Sequence, residues 1–175
     1  FDFNPTVDRI RVVSNAGQNL RLNPTTGEVI DFDPATPGVQ PDNELAYASG
    51  DPNQGQSPNI VGAAYINNVA GATSTTLYGI DSALDILVTQ NPPNNGTLNT
   101  VGALGVNASG VVGFDVRPGG TTALATLVTP LGPRLWTYVL DANGRPGQAQ
   151  ISEWSTAFSS PLGAAIVWPL SDRAT

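Results

Sequence analysis

The sequence predicts an all-β domain built from repeated, antiparallel, four-stranded units, as in a β-propeller. Short segments rich in β-branched and aromatic residues alternate with turns of Gly, Pro, Asn and Asp along the 175 residues. Gly and Pro number 19 and 15, a high share for a helical protein, and no segment carries a sustained helical stripe of apolar residues. A single short helical turn is predicted, over residues 152–160.

The first hairpin is the plainest local prediction. Arg9–Ser14 alternates between polar and apolar residues as a half-buried strand does. Asn15–Gln18 supplies turn residues that lead into a second strand, Asn19–Asn23, and Pro24–Gly27 closes that strand with turn chemistry.

Two series of internal similarities indicate repeats. The first is an opening strand with aromatic or small residues, found at Phe1–Pro5, Gly62–Tyr65, Gly113–Pro118 and Gly163–Ile166. The second is a strand followed by Asp or Asn and a turn, found at Leu20–Gly27, Leu77–Ser82 and Leu135–Gly144. Units of roughly 50–60 residues with about four strands each are typical of propeller blades.

The repeats predict one domain over residues 1–175, with units at 1–61, 62–112 and 113–162 and a closing strand at 163–170. Closed propellers have about 4–8 blades. The chain is therefore expected to form a partial propeller or one that partner chains complete. The alternative is a β-sandwich whose hairpin spacing produces the same similarities.

Composition restricts the compartment and the partners. Charged residues make up 12% of the chain, the formal net charge is −7, and all seven basic residues are Arg. Nucleic acids and anionic membranes need a basic face, and no apolar run reaches the length of a membrane span. The absence of Cys and Met removes the commonest oxidisable side chains, which suits an extracellular or cell-surface location. A chain that starts at Phe1 is expected to be a processed or excised piece of a longer product.

Composition also excludes most catalytic chemistry, so the domain is predicted not to be an enzyme. Without His, Cys or Lys there is no Ser-His-Asp or Cys-His arrangement, no P-loop lysine and no Schiff base. Paired carboxylates are the remaining route to hydrolysis, at Asp31 with Asp33, at Asp81 with Asp85, and at Glu153. We interpret these acids as residues of solvated turns.

Calcium is the one cofactor that the sequence suggests. In the segment 51–55, Asp51 and Asn53 offer oxygen ligands at alternating positions, as calcium loops do. The twelfth position of such a loop is Gly62 rather than the bidentate Glu of an EF-hand. The alternative interpretation is a turn rich in Asx residues.

Two further groups of residues are candidates for ligand binding, although the ligand itself is unknown. Arg9 and Arg11 share a strand face, near Asp2, Asp8 and Arg21 in sequence, and either clamp a carboxylate ligand or form an Asp–Arg lattice between strands. The aromatic residues either form a sugar-stacking platform or anchor the core. They are Tyr65, Tyr78, Trp136, Tyr138, Trp154 and Trp168.

The segments Phe1–Ser14 and Gly17–Gly27 resemble a bacterial family of domains of unknown function. Further similar segments are Leu45–Ala48, Ala63–Tyr65, Thr75–Tyr78 and Gly96–Gly102, so the resemblance covers most of residues 1–118. It implies an exported, sometimes surface-anchored, propeller-like protein, and it brings no catalytic residues.

Together these observations predict a non-catalytic structural or assembly module, extracellular or on the cell surface, that joins its copies through β edges. The alternative is a module that binds a surface glycan or a partner protein. A carboxylate-dependent hydrolase is the third hypothesis.

Overall fold

The computed structural model describes residues 1–110, 112–130, 132–140 and 150–151. These residues form an all-β fold, as predicted, and none of them lies in an α-helix. A single 3-10 turn covers Pro93–Asn95. The strands are β1 (Asp2–Phe3), β2 (Ile10–Val13), β3 (Asn19–Leu22), β4 (Ala46–Tyr47), β5 (Ile60–Tyr65), β6 (Leu77–Asp81), β7 (Ile86–Gln90), β8 (Thr97–Ala103), β9 (Val112–Val116), β10 (Thr122–Thr129), β11 (Gly132–Val139) and β12 (Gln150–Ile151). The helical turn predicted at 152–160 lies outside the described residues.

The strands form three sheets, which we name A, B and C in chain order. Sheet A is the antiparallel meander β1-β2-β3, and sheet C is the antiparallel meander β9-β10-β11-β12. Sheet B contains the meander β5-β6-β7-β8 and a fifth strand, β4, that runs parallel to β8. The predicted four antiparallel strands are thus present in sheets B and C, whereas sheet A has three. No sheet closes on itself within the described part of the chain.

The turns of sheet A follow from local side-chain chemistry. After β2, the Ser14 hydroxyl accepts a hydrogen bond from Ala16 N at 3.2 Å, and Gly17 takes a positive φ of 81°. After β3, the Asn23 carbonyl accepts from Gly27 N at 2.8 Å and its side chain accepts from Thr25 N at 2.9 Å. Both turns lie where the sequence predicts them.

Sheets B and C pack face to face and enclose the largest hydrophobic core of the described residues. Ala64, Tyr78, Ile80 and Leu87 come from sheet B, and they meet residues of sheet C. The latter are Val116, Ala123, Ala125, Leu127, Trp136 and Tyr138. A Cβ on Gly62 would lie 2.9 Å from the Phe114 Cβ, so the absence of a side chain at residue 62 permits the close approach of β5 and β9.

The described aromatic residues of the proposed sugar platform belong to the core. Tyr65, Tyr78, Trp136 and Tyr138 are each at most 8% exposed, so they are core anchors and offer no flat surface to a sugar ring. Trp154 and Trp168 lie outside the described residues.

The opening-strand series locates equivalent strands correctly. Its first three members lie in β1, β5 and β9, the first strands of the antiparallel meanders of sheets A, B and C. The second series does not locate equivalent strands: Leu20 and Leu135 lie in the third strands of their meanders, whereas Leu77 begins β6, the second strand of its meander. Gly163–Ile166 falls outside the described residues, and the unit boundaries stay a prediction.

Sheet A has an unusual distribution of polarity between its two faces. The inner face, which meets sheet B, carries the polar side chains of Asp2, Arg11, Asn19 and Arg21. Asp2 accepts a hydrogen bond from Tyr65 N in strand β5, and Arg11 donates one to the Asn94 side chain in the 3-10 turn. Because side chains alternate along a strand, the apolar residues other than Val13, which is the cross-strand partner of Asn19, point the other way. This outer face consists of Phe1, Phe3, Ile10, Val12, Leu20 and Leu22.

Candidate functional site

A buried ion-pair cluster lies on the inner face of sheet A. Arg11 and Arg21 are direct cross-strand partners on β2 and β3, and both bind Asp42. Arg11 Nη1 lies 2.5 Å from Asp42 Oδ2, and Arg21 donates to the same carboxylate through Nε and Nη2, the latter at 2.7 Å. Arg11 and Asp42 are 1% and 3% exposed. Two guanidinium groups share one carboxylate, so the cluster keeps one positive charge in excess.

Amide side chains complete the coordination of Arg11. Its Nη1 donates to Asn19 Oδ1 at 2.7 Å, and its Nη2 donates to Asn94 Oδ1 at 2.6 Å. Gln90 Nε2 donates to Asn19 Oδ1 at 2.9 Å and to the Pro93 carbonyl at 2.6 Å, which links the cluster to β7 and the 3-10 turn. The Arg11 Nε is buried and has no hydrogen-bond partner among the described residues. The guanidinium is therefore fixed in position while its Nε–H donor stays unused.

A cleft of about 540 Å³ opens over this cluster between sheet A and sheet B. Arg9 lies on its wall, half-buried, and donates from Nη1 to the Asp8 carbonyl. Arg9 belongs to neither ion pair found in the described residues. The cleft is lined by Asn4, Thr6, Val7, Asp8, Arg9, Arg11, Arg21, Tyr65, Pro93 and Asn94.

The structure brings the predicted arginines together, with a different acid from those named in the sequence. Arg11 and Arg21 form an Asp–Arg lattice as the second interpretation proposes, but its carboxylate is Asp42 rather than Asp2 or Asp8. Asp2 instead accepts from Tyr65 N at 2.7 Å and from Phe3 N at 2.7 Å. Burial raises the pKa of Asp2 above its usual range; the two backbone N–H groups oppose this rise, and the Asp115 carboxylate adds to it.

The candidate calcium ligands Asp51 and Asn53 lie close together, and their side chains stabilise a turn. The Asp51 carboxylate accepts from Thr100 N at 2.7 Å and from Thr100 Oγ1 at 2.8 Å, and Asn53 Nδ2 donates to the same hydroxyl at 2.9 Å. Burial acts to raise the pKa of Asp51, but the hydrogen bonds from Thr100 and Asn53 outweigh it and hold the pKa below its usual range. No group of three or more acidic side chains suited to a metal occurs among the described residues. Calcium binding stays a prediction.

The paired carboxylates also bond to backbone groups in turns. Asp31 accepts from Asp33 N and Gln40 N, both at 3.1 Å. Asp85 accepts from Ala108 N at 2.7 Å, whereas Asp81 is fully buried and accepts from Ala83 N at 2.9 Å. Glu153 lies outside the described residues. That the domain is not an enzyme stays a prediction.

Two buried tyrosines offer a matched test of the local hydrogen bonding. Tyr47 donates its hydroxyl to Asp81 Oδ2 at 2.6 Å, and burial together with this carboxylate raises its pKa. The Tyr138 hydroxyl is buried and has no hydrogen-bond partner in the part of the chain that the structure describes, and burial raises the pKa of Tyr138 to about 12. We expect Tyr47→Phe to lower the free energy of unfolding by about 1.5–3 kcal/mol, because it removes a bond to a carboxylate. Tyr138→Phe removes only an unsatisfied group and should leave stability unchanged or raise it by up to about 1 kcal/mol.

Denaturant unfolding of the two variants measures both values. Since each change deletes one hydroxyl from a buried ring, the difference between them isolates the hydrogen bond. Equal losses in the two variants would contradict the assignment.

Sequence reasoning missed the acid and the amides that organise the site. Asp42, Gln90 and Asn94 are 31, 79 and 83 positions from Arg11, and Asp42 precedes β4 in a segment without strand periodicity. The one sequence signal that points to these residues is the small number of charged residues in the chain. Where charges are few, any buried acid is a candidate partner for an arginine.

The fold and the cleft define the class of this protein. It is an all-β domain in which meander sheets pack together and a polar cleft lies between two of them. The chain belongs to the family described as Domain of unknown function (DUF4394), whose family model matches residues 1–144. No curated protein and no solved structure matches the chain. The predicted membership in a family of unknown function is confirmed. No helix in the described part of the chain is long and apolar enough to cross a membrane.

Proposed function

We propose that this domain is a non-catalytic, exported module that assembles with further copies of itself through the outer face of sheet A. The observation that carries the proposal is the apolar character of that face. Phe1 and Phe3 are 75% and 55% exposed, and Ile10, Val12 and Leu22 are half-buried. None of the six outer-face residues belongs to a hydrophobic core cluster of the described residues.

The arrangement reverses the usual rule for a sheet that covers a core. An antiparallel sheet with one solvated face normally turns its polar side chains to water, whereas sheet A turns them toward sheet B. Two apolar cross-strand rows remain outside: Phe3, Ile10 and Leu22 form one, and Val12 and Leu20 form the other. Contiguous exposed apolar patches mark interaction surfaces, and each large side chain contributes roughly 1.5–3 kcal/mol when fully buried.

The order of the sheets favours a propeller-like arc rather than a β-sandwich. Strand β1 packs against β5, and β5 packs against β9, so the first strands of three successive meanders are neighbours. Asp2 bonds Tyr65 N across the first junction, and Asn68 Nδ2 donates to the Val116 carbonyl at 3.1 Å across the second. A sandwich pairs two sheets, whereas a propeller repeats such junctions around an axis. In this arrangement the next sheet would cover the outer face of sheet A, and we assign that place to a second copy.

The face is a better candidate for assembly than the sheet edges named in the sequence prediction. Strand β1, one edge of sheet A, is two residues long, as is β4, one edge of sheet B. Such short strands present few unpaired backbone groups to another chain. The exposed Phe1 and Phe3 side chains offer a larger contact than the β1 backbone.

Location and lack of catalysis are further parts of the proposal. A chain without Cys or Met tolerates an oxidising extracellular environment, and a chain without His, Cys or Lys lacks the usual nucleophiles and bases. The turn hydrogen bonds of Asp31, Asp81 and Asp85 give these acids a structural role.

Light scattering over a range of protein concentrations tests the assembly. We expect the wild-type mass to rise with concentration to multiples of 18.1 kDa. The double variant Phe1→Ser/Phe3→Ser should stay monomeric, because it removes the two most exposed apolar side chains of the face. Val69→Ser changes a 40% exposed residue outside sheet A and should assemble like the wild type. A wild-type monomer at every concentration would refute the proposal.

A module that binds a small ligand or a partner protein is the second candidate. The cleft between sheets A and B favours it, since a concave site of about 540 Å³ lined by arginine and amide groups has the size of a small-molecule site.

A further inference from the structure

We propose that the cleft between sheets A and B binds a small, singly charged carboxylate that carries hydroxyl groups, such as a uronic acid, with Arg9 and Arg21 as its anchors. The inference deepens the second candidate above and rests on it. It is independent of the assembly proposal, because the cleft is lined by the inner face of sheet A and the assembly contact uses the outer face.

The charge of the site favours an anion. Arg11 and Arg21 share the single carboxylate of Asp42, so one positive charge next to the cleft is uncompensated. A buried charge without a counter-charge is unfavourable, and a bound anion would neutralise it. The rest of the protein is acidic, with a formal net charge of −7, so this local excess contrasts with its surroundings.

The arginines that line the cleft have donors that the ion-pair cluster does not use. Asp42 engages Nε and Nη2 of Arg21, which leaves its Nη1 outside that interaction, and the Arg21 side chain is 20% exposed. Arg9 has one guanidinium nitrogen on the Asp8 carbonyl and no carboxylate partner among the described ion pairs. Planar guanidinium groups bind carboxylates through two parallel hydrogen bonds.

The other residues that line the cleft favour one kind of anion over another. Asp8 also lines the cleft, and its negative charge disfavours a second one nearby, so a monocarboxylate fits better than a phosphate dianion. Asn4 and Thr6 provide amide and hydroxyl groups; Asn4 Oδ1 accepts from the Thr6 hydroxyl at 2.8 Å, which leaves the Asn4 amide nitrogen to donate. These groups suit the hydroxyls of a sugar acid, and the volume of about 540 Å³ is sufficient for one ring.

Isothermal titration with D-glucuronate tests the site, with D-glucose at the same concentration as the uncharged control. We expect glucuronate to bind with a dissociation constant of roughly 1 mM or below, and glucose and inorganic phosphate to bind at least about tenfold more weakly. Arg9→Gln should weaken glucuronate binding at least about tenfold, because it deletes a charged donor outside the buried cluster. Arg117→Gln alters an exposed arginine that does not line the cleft, and it should bind like the wild type.

The outcomes separate this inference from the assembly proposal. Phe1→Ser/Phe3→Ser should retain glucuronate binding even where it abolishes assembly, since neither residue lines the cleft. Absence of wild-type binding at about 10 mM glucuronate, equal binding of glucose, or unchanged affinity in Arg9→Gln would overturn the inference whatever the oligomeric state.

Discussion

Asp42→Ala is expected to lower the free energy of unfolding by about 3–5 kcal/mol, because it leaves two arginines without their carboxylate in a buried site. Arg11 is 1% exposed and cannot regain solvent without opening the contact between sheets A and B. Arg21 loses its bonds from Nε and Nη2 in the same substitution. The loss should therefore exceed that of an ordinary surface ion pair, which is about 0–1 kcal/mol.

Urea unfolding of Asp42→Ala beside Glu44→Ala measures the effect. Glu44 is an exposed acid two residues away, so its substitution should change stability by no more than about 0.5 kcal/mol. A loss below about 1 kcal/mol for Asp42→Ala would mean that the cluster is open to water and that its charge is not an organising feature.

Gly96→Ala should destabilise the domain by about 3 kcal/mol or more, through overpacking and strain together. Gly96 has a φ of +66°, and a Cβ there would lie 2.2 Å from the Glu44 carbonyl oxygen and 2.5 Å from the Asn43 carbonyl oxygen. Both neighbours are backbone atoms, so no side chain can rotate out of the way. The same turn holds Asn94, which binds Arg11, and the Gly96 carbonyl accepts from Ala46 N at 3.0 Å where β4 joins β8.

Gly27→Ala is the matched control for Gly96→Ala. Gly27 has a similar φ of +74° and nothing within 4 Å of an added Cβ, so only the backbone strain of about 1 kcal/mol applies. The difference between the two variants measures the close approach of residues 43–44 to the turn. Equal losses would contradict the packing described for this turn.

Local chemistry explains why the hairpins of sheet A are predictable. The turns after β2 and β3 are fixed by Ser14, Gly17, Asn23 and Gly27 within a few residues of one another, and the sequence contains all of that information. Gly62 in the opening-strand series reflects packing rather than local chemistry, because a Cβ there would lie 2.9 Å from the Phe114 Cβ on β9.

Which face of sheet A meets sheet B could not be predicted from its alternation. The pattern of Ile10, Arg11 and Val12 indicates a half-buried strand and favours burial of the apolar side. The structure buries Arg11 instead, because Asp42 and Asn94 arrive from distant parts of the chain to bind it. Long-range partners of this kind cannot be detected from local periodicity. The set of residues that line the cleft cannot be predicted from it either.

Amide hydrogen–deuterium exchange at low and high protein concentration tests the central claim, that copies associate through the outer face of sheet A. We expect protection of peptides from residues 1–22 to increase with concentration, because a second copy would cover Phe1, Phe3, Val12 and Leu20 and suppress opening of these short strands. The loop around Val69 serves as the internal reference and should exchange at the same rate in both samples. Identical exchange of residues 1–22 at both concentrations would contradict the claim.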